Sequence, residues 1–305
     1  MAKPRELRRR IRSVENTRQI TKTMEMVATS RLKRAQDRVV AARPYAAALT
    51  EVLTNLYAPE LTEKFPLLRQ PGGEPSRAAV VLVTSNRGLC GAFNGNLIRK
   101  AKERIEHLET RGVEVELHAV GRKGIQYFKY VGRQLALERD DIGDRPAAHH
   151  AAELMEPLMG RFERAELDHV EVVFARFNSP VSTPPQVLSI FPVEPQAVKL
   201  ASGKAGSPVG EAGLGRHSAP NFILRPSAEE IVGAILPLYV RNAMYRALVE
   251  TAASEHGARR TAMKNATDNA GEMLDKLRRT YNRARQGQIT QEIAEIVGGA
   301  EALKG

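Results

Sequence analysis

The sequence predicts an α/β protein: an antiparallel coiled coil of long N- and C-terminal helices plus a central Rossmann-like α/β domain. Three observations predict it. From Ala28 the apolar or small positions run Leu32, Ala35, Val39, Ala42, Ala46, Leu49, Leu53 and Leu56, in alternating steps of four and three. The same phase returns far away at Ile231, Ile235, Leu238, Tyr245, Val249 and Ala252, and resumes at Met263, Ala266, Ala270, Met273, Leu277 and Ala284. A period of about 3.5 residues belongs to helices that wind around each other. Between the two patterns the period changes to short apolar runs separated by helical stretches, which is the pattern of a largely parallel sheet with crossover helices.

The first element is a helix over roughly Arg5 to Tyr57, about 80 Å long at the usual helical rise. Pro44 lies inside it, and because the heptad phase survives Pro44, a kinked continuation is expected rather than a break. The stretch 59–76 holds four Pro and two Gly and reads as a linker. Ala78 to Thr84 is a continuous apolar run, the mark of a strand buried on both faces. A helix follows near Asn94 to Arg111, a strand over Val113 to Val120, a short helix over Lys123 to Tyr130, and a helix over Ala147 to Arg164. Val170 to Phe177 and Gln186 to Val193 read as strands joined by a turn around Pro180, Pro184 and Pro185. Residues 201–220 are rich in Gly and Ser, lack periodicity and read as a loop. Ser227 then opens a capping box with Glu230, behind Pro226. The last helix is expected to bend at Pro237, run to about Val297, and end at Gly298 and Gly299. The resulting division is 1–58 N-terminal helix, 59–76 linker, 77–197 central α/β domain, 198–225 loop and 226–305 C-terminal helix.

Composition narrows the function. The chain has 305 residues, no Trp and a formal net charge of +11. Residues 1–43 carry 13 Lys/Arg against 4 Asp/Glu, and residues 259–287 carry 8 against 3, which leaves the rest slightly acidic. Two basic segments meeting in one coiled coil imply an acidic partner. The longest purely apolar run, Ala78 to Val83, is far short of a membrane span. The Arg-rich start is interrupted by Glu6 and Glu15 and continues a helical pattern, unlike a transit peptide. Cys90 is the single cysteine, so no internal disulfide forms and a reducing compartment is expected.

No motif points to catalysis. The loop Ser85 to Gly95 follows the first strand, where α/β folds bind phosphates. Its glycines do not follow G-x-G-x-x-G, and no G-x-x-x-x-G-K-[ST] occurs anywhere. It reads instead as a tight strand-to-helix turn and subunit contact, with Arg87 and Cys90 as its candidate contact residues. No His neighbours Cys90 to activate it. His107, His118, His149, His150, His169, His217 and His256 show no metal spacing, and His149–His150 reads as a solvated loop pair. Met24, Met26, Met263 and Met273 lie near the helical seams and read as core. Ile289, Ile293 and Val297, with Ile296, form an apolar stripe that needs a partner if it extends beyond the other helix.

Three stretches carry a resemblance: Leu7 to Gln36 (LRRRIRSVENTRQITKTMEMVATSRLKRAQ), Ser85 to Asn94 (SNRGLCGAFN) and Met263 to Leu303 (MKNATDNAGEMLDKLRRTYNRARQGQITQEIAEIVGGAEAL). In combination, and with the helix–α/β–helix order, they resemble the gamma subunits of F-type ATP synthases over essentially the whole chain. The resemblance implies a non-catalytic rotor that couples proton flow through the membrane c-ring to the conformational cycling of catalytic beta subunits. Its implied partners are the alpha and beta subunits of the hexamer, the epsilon subunit and the c-ring, with delta reached only indirectly. It implies no nucleic acid, no transmembrane segment, and no cofactor on this chain, since ATP, ADP and Mg belong to partner subunits. Its implied place is peripheral, at the cytoplasmic face of a bacterial plasma membrane, or the matrix face for a mature organellar chain.

The resemblance also assigns residues. Met24, Lys33 and Arg34 are expected near acidic lever loops of the beta subunits. Arg285, Gln286, Thr290 and Glu292 match the family's upper polar contact with beta. Ile289, Ile293 and Val297 would turn in an apolar sleeve of the alpha/beta hexamer. Gly287 departs from the Ala more common in the family and should weaken the last helix locally. Chloroplast members carry an inserted cysteine pair for redox control, and a lone Cys90 argues against that switch. A basic nucleic-acid-binding or scaffold coiled coil is the alternative, but it lacks interleaved aromatics and any binding motif.

Overall fold

The computed structural model describes residues 4–56, 64–69, 75–193 and 227–302. The expected loop 198–225 lies outside the described residues, as does most of the expected linker. Helix α1 spans Pro4–Leu56. A 3₁₀ turn, Pro66–Leu68, precedes strand β1, Arg77–Val83. Then come α2 (Phe93–Thr110), β2 (Glu114–Val120), α3 (Arg122–Tyr130), β3 (Leu137–Arg139), α4 (Ala148–Glu163), β4 (His169–Ala175), β5 (Pro185–Phe191) and α5 (Ala228–Ala302). The chain divides into two compact units, Met1–Thr29 with Arg259–Gly305, and Ser30–Ala258. Both long helices contribute to both units.

The larger unit is built on a five-stranded mixed sheet of order β3-β2-β1-β4-β5. The pairs β1–β2, β1–β4 and β2–β3 are parallel, and β4–β5 is antiparallel. β1 is buried at every position from Ala78 to Val83, because both faces of the sheet are covered. Ala78, Val80 and Leu82 point to Phe93, Leu97, Ala101 and Ile105 of α2 and Phe128 of α3. Ala79, Val81 and Val83 point to Leu154, Met155, Leu158 and Phe162 of α4 and to Val232, Leu236, Val240 and Met244 of α5. A third cluster joins Leu32, Ala35 and Val39 of α1 to Val249 and Ala253 of α5, with Phe177.

Two close approaches fix the loops of this unit. Gly121, at φ 98°, ends β2 against Thr84, and a Cβ there would collide with the Thr84 carbonyl oxygen. The Thr84 hydroxyl in turn accepts the Gly124 N–H at 2.9 Å. Gly257 of α5 lets the β4–β5 connection lie on the helix, since a Cβ would be 3.0 Å from the Pro180 carbonyl oxygen. The polar end of β4 is tied to α5 by the Ala175 N–H, which donates to Thr251 Oγ1 at 3.2 Å, and by the Ser254 hydroxyl, which donates to the Ala175 carbonyl at 3.2 Å.

The smaller unit is an antiparallel helix pair. Arg278 pairs with Glu15 at 2.7 Å, and the Thr267 and Thr21 hydroxyls lie 2.8 Å apart. Residue numbers thus fall on one helix as they rise on the other. Leu7 and Ala28 of α1 and Met263, Thr267, Ala270 and Leu274 of α5 are buried.

Several expectations need correction. On α5 the buried row near the sheet is Val232, Leu236, Val240, Met244 and Leu248. It does not follow Ile231, Ile235, Leu238 and Tyr245. Leu238 is exposed. This stretch faces the sheet and α4 as well as α1, so its apolar stripe is wider and turned relative to a two-helix seam. Further on, Leu274 takes the seam position expected for Met273, which is exposed, as is Met26. The reason is Thr267: with its hydroxyl satisfied against Thr21 it serves as a seam residue that an apolar pattern skips. The helix does not stop at Gly298 and Gly299 but continues to Ala302, at a cost of about 1 kcal/mol per glycine relative to alanine. His149 and His150 are not a loop pair; they occupy the first turn of α4, and His150 Nδ1 accepts the Ala147 N–H at 3.1 Å. The three-residue β3 goes unpredicted because it is short, charged and at the edge. Both Pro44 and Pro237 lie within their helices, and Ser227 Oγ accepts the Glu230 N–H at 3.2 Å as a cap should.

Urea unfolding of the full chain checks the corrected seam. Leu274→Ala should lose about 2–4 kcal/mol, as deletion of a buried leucine does, whereas Met273→Ala should change stability by less than about 0.5 kcal/mol. Equal losses at the two positions would restore the seam read from the heptads.

Candidate functional site

Among the described residues the candidate sites are surfaces. The first is the end of α5. Its first component is apolar. Ile289, Ile293, Ile296 and Val297 are 46, 57, 72 and 60% exposed. Their spacing places them along one side of the helix. An uncovered aliphatic row of this kind marks a surface that another protein covers. The second component is polar. Arg285, Gln286, Thr290 and Glu292 are all exposed. The Thr290 hydroxyl donates to the Gln286 carbonyl at 3.0 Å, and the Gln288 amide donates to the Glu292 carboxylate at 2.8 Å. These bonds hold Thr290 and Glu292 in place on the helix before any partner arrives. Gly287 has open space around its Cα, so nothing in the fold demands glycine there.

The second surface is on α1. In the smaller unit Met24 is half-buried. In the larger unit Lys33 and Arg34 are exposed, and Lys33 Nζ lies 3.1 Å from Asp37 one turn on. With both side chains largely in water, that pair contributes little and leaves Lys33 available. Arg31 is different: it bonds Asp144 of the β3–α4 connection at 2.6 Å, so its charge is engaged inside the unit. The basic residues of α1 are therefore not equivalent, a distinction that charge counting does not make.

The third surface is the turn between β1 and α2. The Ser85 N–H donates to Asn94 Oδ1 at 3.0 Å, and the Ser85 hydroxyl donates to the Arg87 carbonyl at 2.6 Å. Asn86 reaches across to the next crossing: its amide donates to the Asp140 carbonyl at 2.7 Å, and its carbonyl accepts the Arg122 N–H at 2.8 Å. These bonds hold the loop so that Arg87 and Leu89 are exposed while Cys90 is buried. Leu89 has φ 61°, a left-handed conformation for a non-glycine residue that is kept only where the surroundings fix it. Cys90 belongs to the core on the α2 face, and Asn94 Nδ2 lies 3.2 Å from its sulfur. The thiol therefore anchors the loop from below, and the outward face is formed by Arg87 and Leu89. Leu89 escapes sequence reasoning because nothing in the string RGLCG says which residue points out.

The N–H groups of Ser85 and Lys123 are engaged in holding the turn's own shape: that of Ser85 donates to Asn94 Oδ1, and that of Lys123 donates to the Ser85 carbonyl at 3.1 Å. Among the described residues no group of three or more His, Cys, Asp or Glu could hold a metal ion. None of the described helices is long and apolar enough to cross a membrane.

Comparison with known proteins bears on these surfaces. Residues 3–303 match the ATP synthase family. The ATP synthase gamma chain of Gemmatimonas aurantiaca is 57% identical over 305 residues, covering 100% of both chains. That of Leptospira biflexa is 41% identical over 303 residues, covering 99% of this chain and 100% of the other. A chain of the Euglena gracilis mitochondrial ATP synthase, solved with OSCP, F1 and c-ring in rotational state 3, aligns with a TM-score of 0.63 at 20% identity. It covers 98% of this chain and 94% of that one, and it shows the same fold.

Burial of Cys90 is testable with a thiol reagent. Native chain should be labelled at least about tenfold more slowly than chain unfolded in urea, since a buried thiol reacts only through opening. Equal rates would mean that the thiol is on the surface of the loop.

Proposed function

This chain belongs to the ATP synthase gamma chain family, and we propose that it is the central rotor shaft of an F-type ATP synthase. In this reading it couples proton flow through the membrane c-ring to the conformational cycling of catalytic beta subunits, in ATP synthesis and, reversed, in hydrolysis. The observation that carries the reading is the bare end of α5, where an aliphatic row sits beside a prearranged polar group. An apolar row can be sheathed by a surrounding protein and still turn, because burial of apolar surface is non-directional. Ile289, Ile293 and Val297 are the residues for an alpha/beta sleeve. Arg285, Gln286, Thr290 and Glu292 are those for a polar contact with beta.

Three chemically identical beta sites can differ only through unequal contacts with something asymmetric, because a partner shifts a conformational equilibrium only by differential affinity. In this reading Met24, Lys33 and Arg34 are the residues that meet acidic beta loops; the exposure of Lys33 and Arg34 supports it. Arg87, with Leu89 beside it, presents the contact of the β1–α2 turn to the subunits at the base, epsilon and the c-ring, and delta is reached only through other subunits. The chain itself is non-catalytic in this reading: ATP, ADP and Mg are bound by the partner subunits. Its place is then peripheral, on the cytoplasmic face of a bacterial plasma membrane, in keeping with the bacterial relatives.

Purification of the tagged native chain in mild detergent, with mass spectrometry and an ATPase assay, tests this directly. Recovery of alpha, beta and epsilon subunits with ATPase activity is expected. Recovery of nucleic acid alone, without ATPase activity, would overturn the reading in favour of a basic coiled coil that binds nucleic acid. Reversing Lys33 and Arg34 to Glu should leave subunit content unchanged, because assembly rests on apolar burial, while each lost contact removes up to about 1 kcal/mol of coupling. Wild-type proton pumping per ATP hydrolysed in that variant would sink the assigned role of these two residues.

A further inference from the structure

Between α1, the β4–β5 end of the sheet and α5 lies a partly enclosed cavity of about 80 Å³. Its walls include Arg176, Gln186, Tyr239, Asn242, Arg246 and Glu250. Four of these six are on α5, at steps of three and four, so they share one side of the helix. That side is turned toward the sheet. The flanking positions Leu236, Val240, Met244, Ala247 and Leu248 are buried and apolar, as a core-facing helix requires. A polar row at core-facing positions breaks the local rule, and such breaks concentrate where a protein does something other than fold.

The sheet side of the cavity shows the same substitution of polar for apolar. Phe174 of β4 is buried in the core, and Gln186 of β5 stands opposite it in register. Arg176, two residues on, continues the side of the strand that carries Phe174. Its backbone is fixed from three directions. The Ala175 N–H donates to Thr251 Oγ1 at 3.2 Å, the Arg176 N–H to the Pro184 carbonyl at 3.0 Å, and the Phe177 N–H to Glu250 Oε2 at 3.2 Å.

The charges do not cancel. Glu250 is buried and meets Arg246 at 3.3 Å, so that pair is neutral as a unit. Arg176 remains as a surplus positive charge. No hydrogen bond or ion pair joins the side chains of Arg176, Gln186, Tyr239 or Asn242 to another described residue. The cavity thus presents a guanidinium, two amides and a phenol whose donors are unused by the other described residues. Burial pushes the Tyr239 phenol up to about 12, against the opposing effect of Arg246, which keeps it a neutral O–H donor at physiological pH. The volume exceeds what one water needs, and it falls well below the several hundred Å³ of a pocket for a nucleotide or other drug-sized ligand.

We propose that this cavity binds one small free tetrahedral oxyanion of the inorganic phosphate class. Arg176 is its ion partner, and Tyr239, Asn242 and Gln186 are neutral donors. The anion neutralises the surplus guanidinium and bridges β4, β5 and α5, so that it tightens the seat of α5 on the sheet. The site is independent of the β1–α2 turn and of the exposed end of α5.

The test uses the full-length chain, titrated with inorganic phosphate at constant ionic strength, with chloride as the exchanged ion. Calorimetric binding and the thermal midpoint are read together. Wild-type chain should bind phosphate saturably with a rise in midpoint, sulfate should compete, and chloride and acetate should not. Arg176→Gln should weaken phosphate binding at least about tenfold, the loss expected for a charge-assisted contact. Tyr239→Phe removes one hydroxyl only, and should weaken binding severalfold while keeping the fold, which covers the case in which Arg176→Gln is poorly folded. No saturable phosphate response in the wild type, or wild-type affinity in both variants, would overturn the proposal.

Discussion

Val232, Leu236, Val240, Met244 and Leu248 of α5 lie against the sheet face that carries Ala79, Val81, Val83 and Phe174. β1 is buried along nearly its whole length and is paired on both sides, so neither face of the sheet can be left to water. α2 and α3 cover one face, and α4 covers only part of the other. The larger unit therefore depends on α5 for the rest of its core. Apolar contact alone is non-directional and does not fix where along the helix the sheet sits. Hydrogen bonds from the end of β4 to Thr251 and Ser254, and from Phe177 to Glu250, supply that register, because they weaken steeply off their proper geometry. All three α5 residues are buried. Each of the three is satisfied by these bonds.

Long, strongly patterned elements were legible in the sequence. The apolar run of β1, the alternation of β2, the Ser227 cap and the helical stretches between them stand within a few residues of their expected places, because local pattern and tertiary demand agree there. The phase of α5 was less legible. A heptad search assumes one helical neighbour, whereas residues 232–248 face the sheet and α4 too, so the buried row there runs in steps of four and rejoins the expected positions only at Val249 and Ala252. Farther along, Thr267 occupies a seam position that a search for apolar residues passes over. β3 carries too few residues and too much charge to announce itself, and it exists because the edge of β2 offers it hydrogen bonds.

Among the surface residues, sequence separated poorly what is engaged from what is bare. Arg31 and Lys33 are two residues apart and equally basic, yet Arg31 bonds Asp144 across the fold while Lys33 meets only an exposed Asp37 one turn away. Cys90 and Leu89 are adjacent, yet one is core and the other is at the tip of the turn. For the arginine the difference is made by Asp144, distant in sequence; for the loop it is made by local bonds of Ser85 and Asn94 together with the reach of Asn86 to Asp140 and Arg122. The distant partners leave no local trace. The end of α5 was legible because a helix that carries four exposed aliphatic residues on one side has no local excuse for them.

In the proposed reading the two kinds of surface suit opposite needs of a turning part. A contact that must be made and broken repeatedly should be individually weak, and exposed ion pairs of the Lys33 type, with both groups in water and screened by salt, are weak by nature. They bias a partner's conformation without holding it. A bearing has the other requirement: its free energy should change little with angle. An aliphatic row such as Ile289, Ile293 and Val297 loses and regains the same kind of contact as it turns, since burial depends on area and not on direction. A row of buried hydrogen bonds would instead have to break at every step, leaving donors unsatisfied each time. In the proposed reading the prearranged Thr290 and Glu292 beside that row are the angle-dependent feature: a few directional groups on a non-directional bearing give preferred stopping positions.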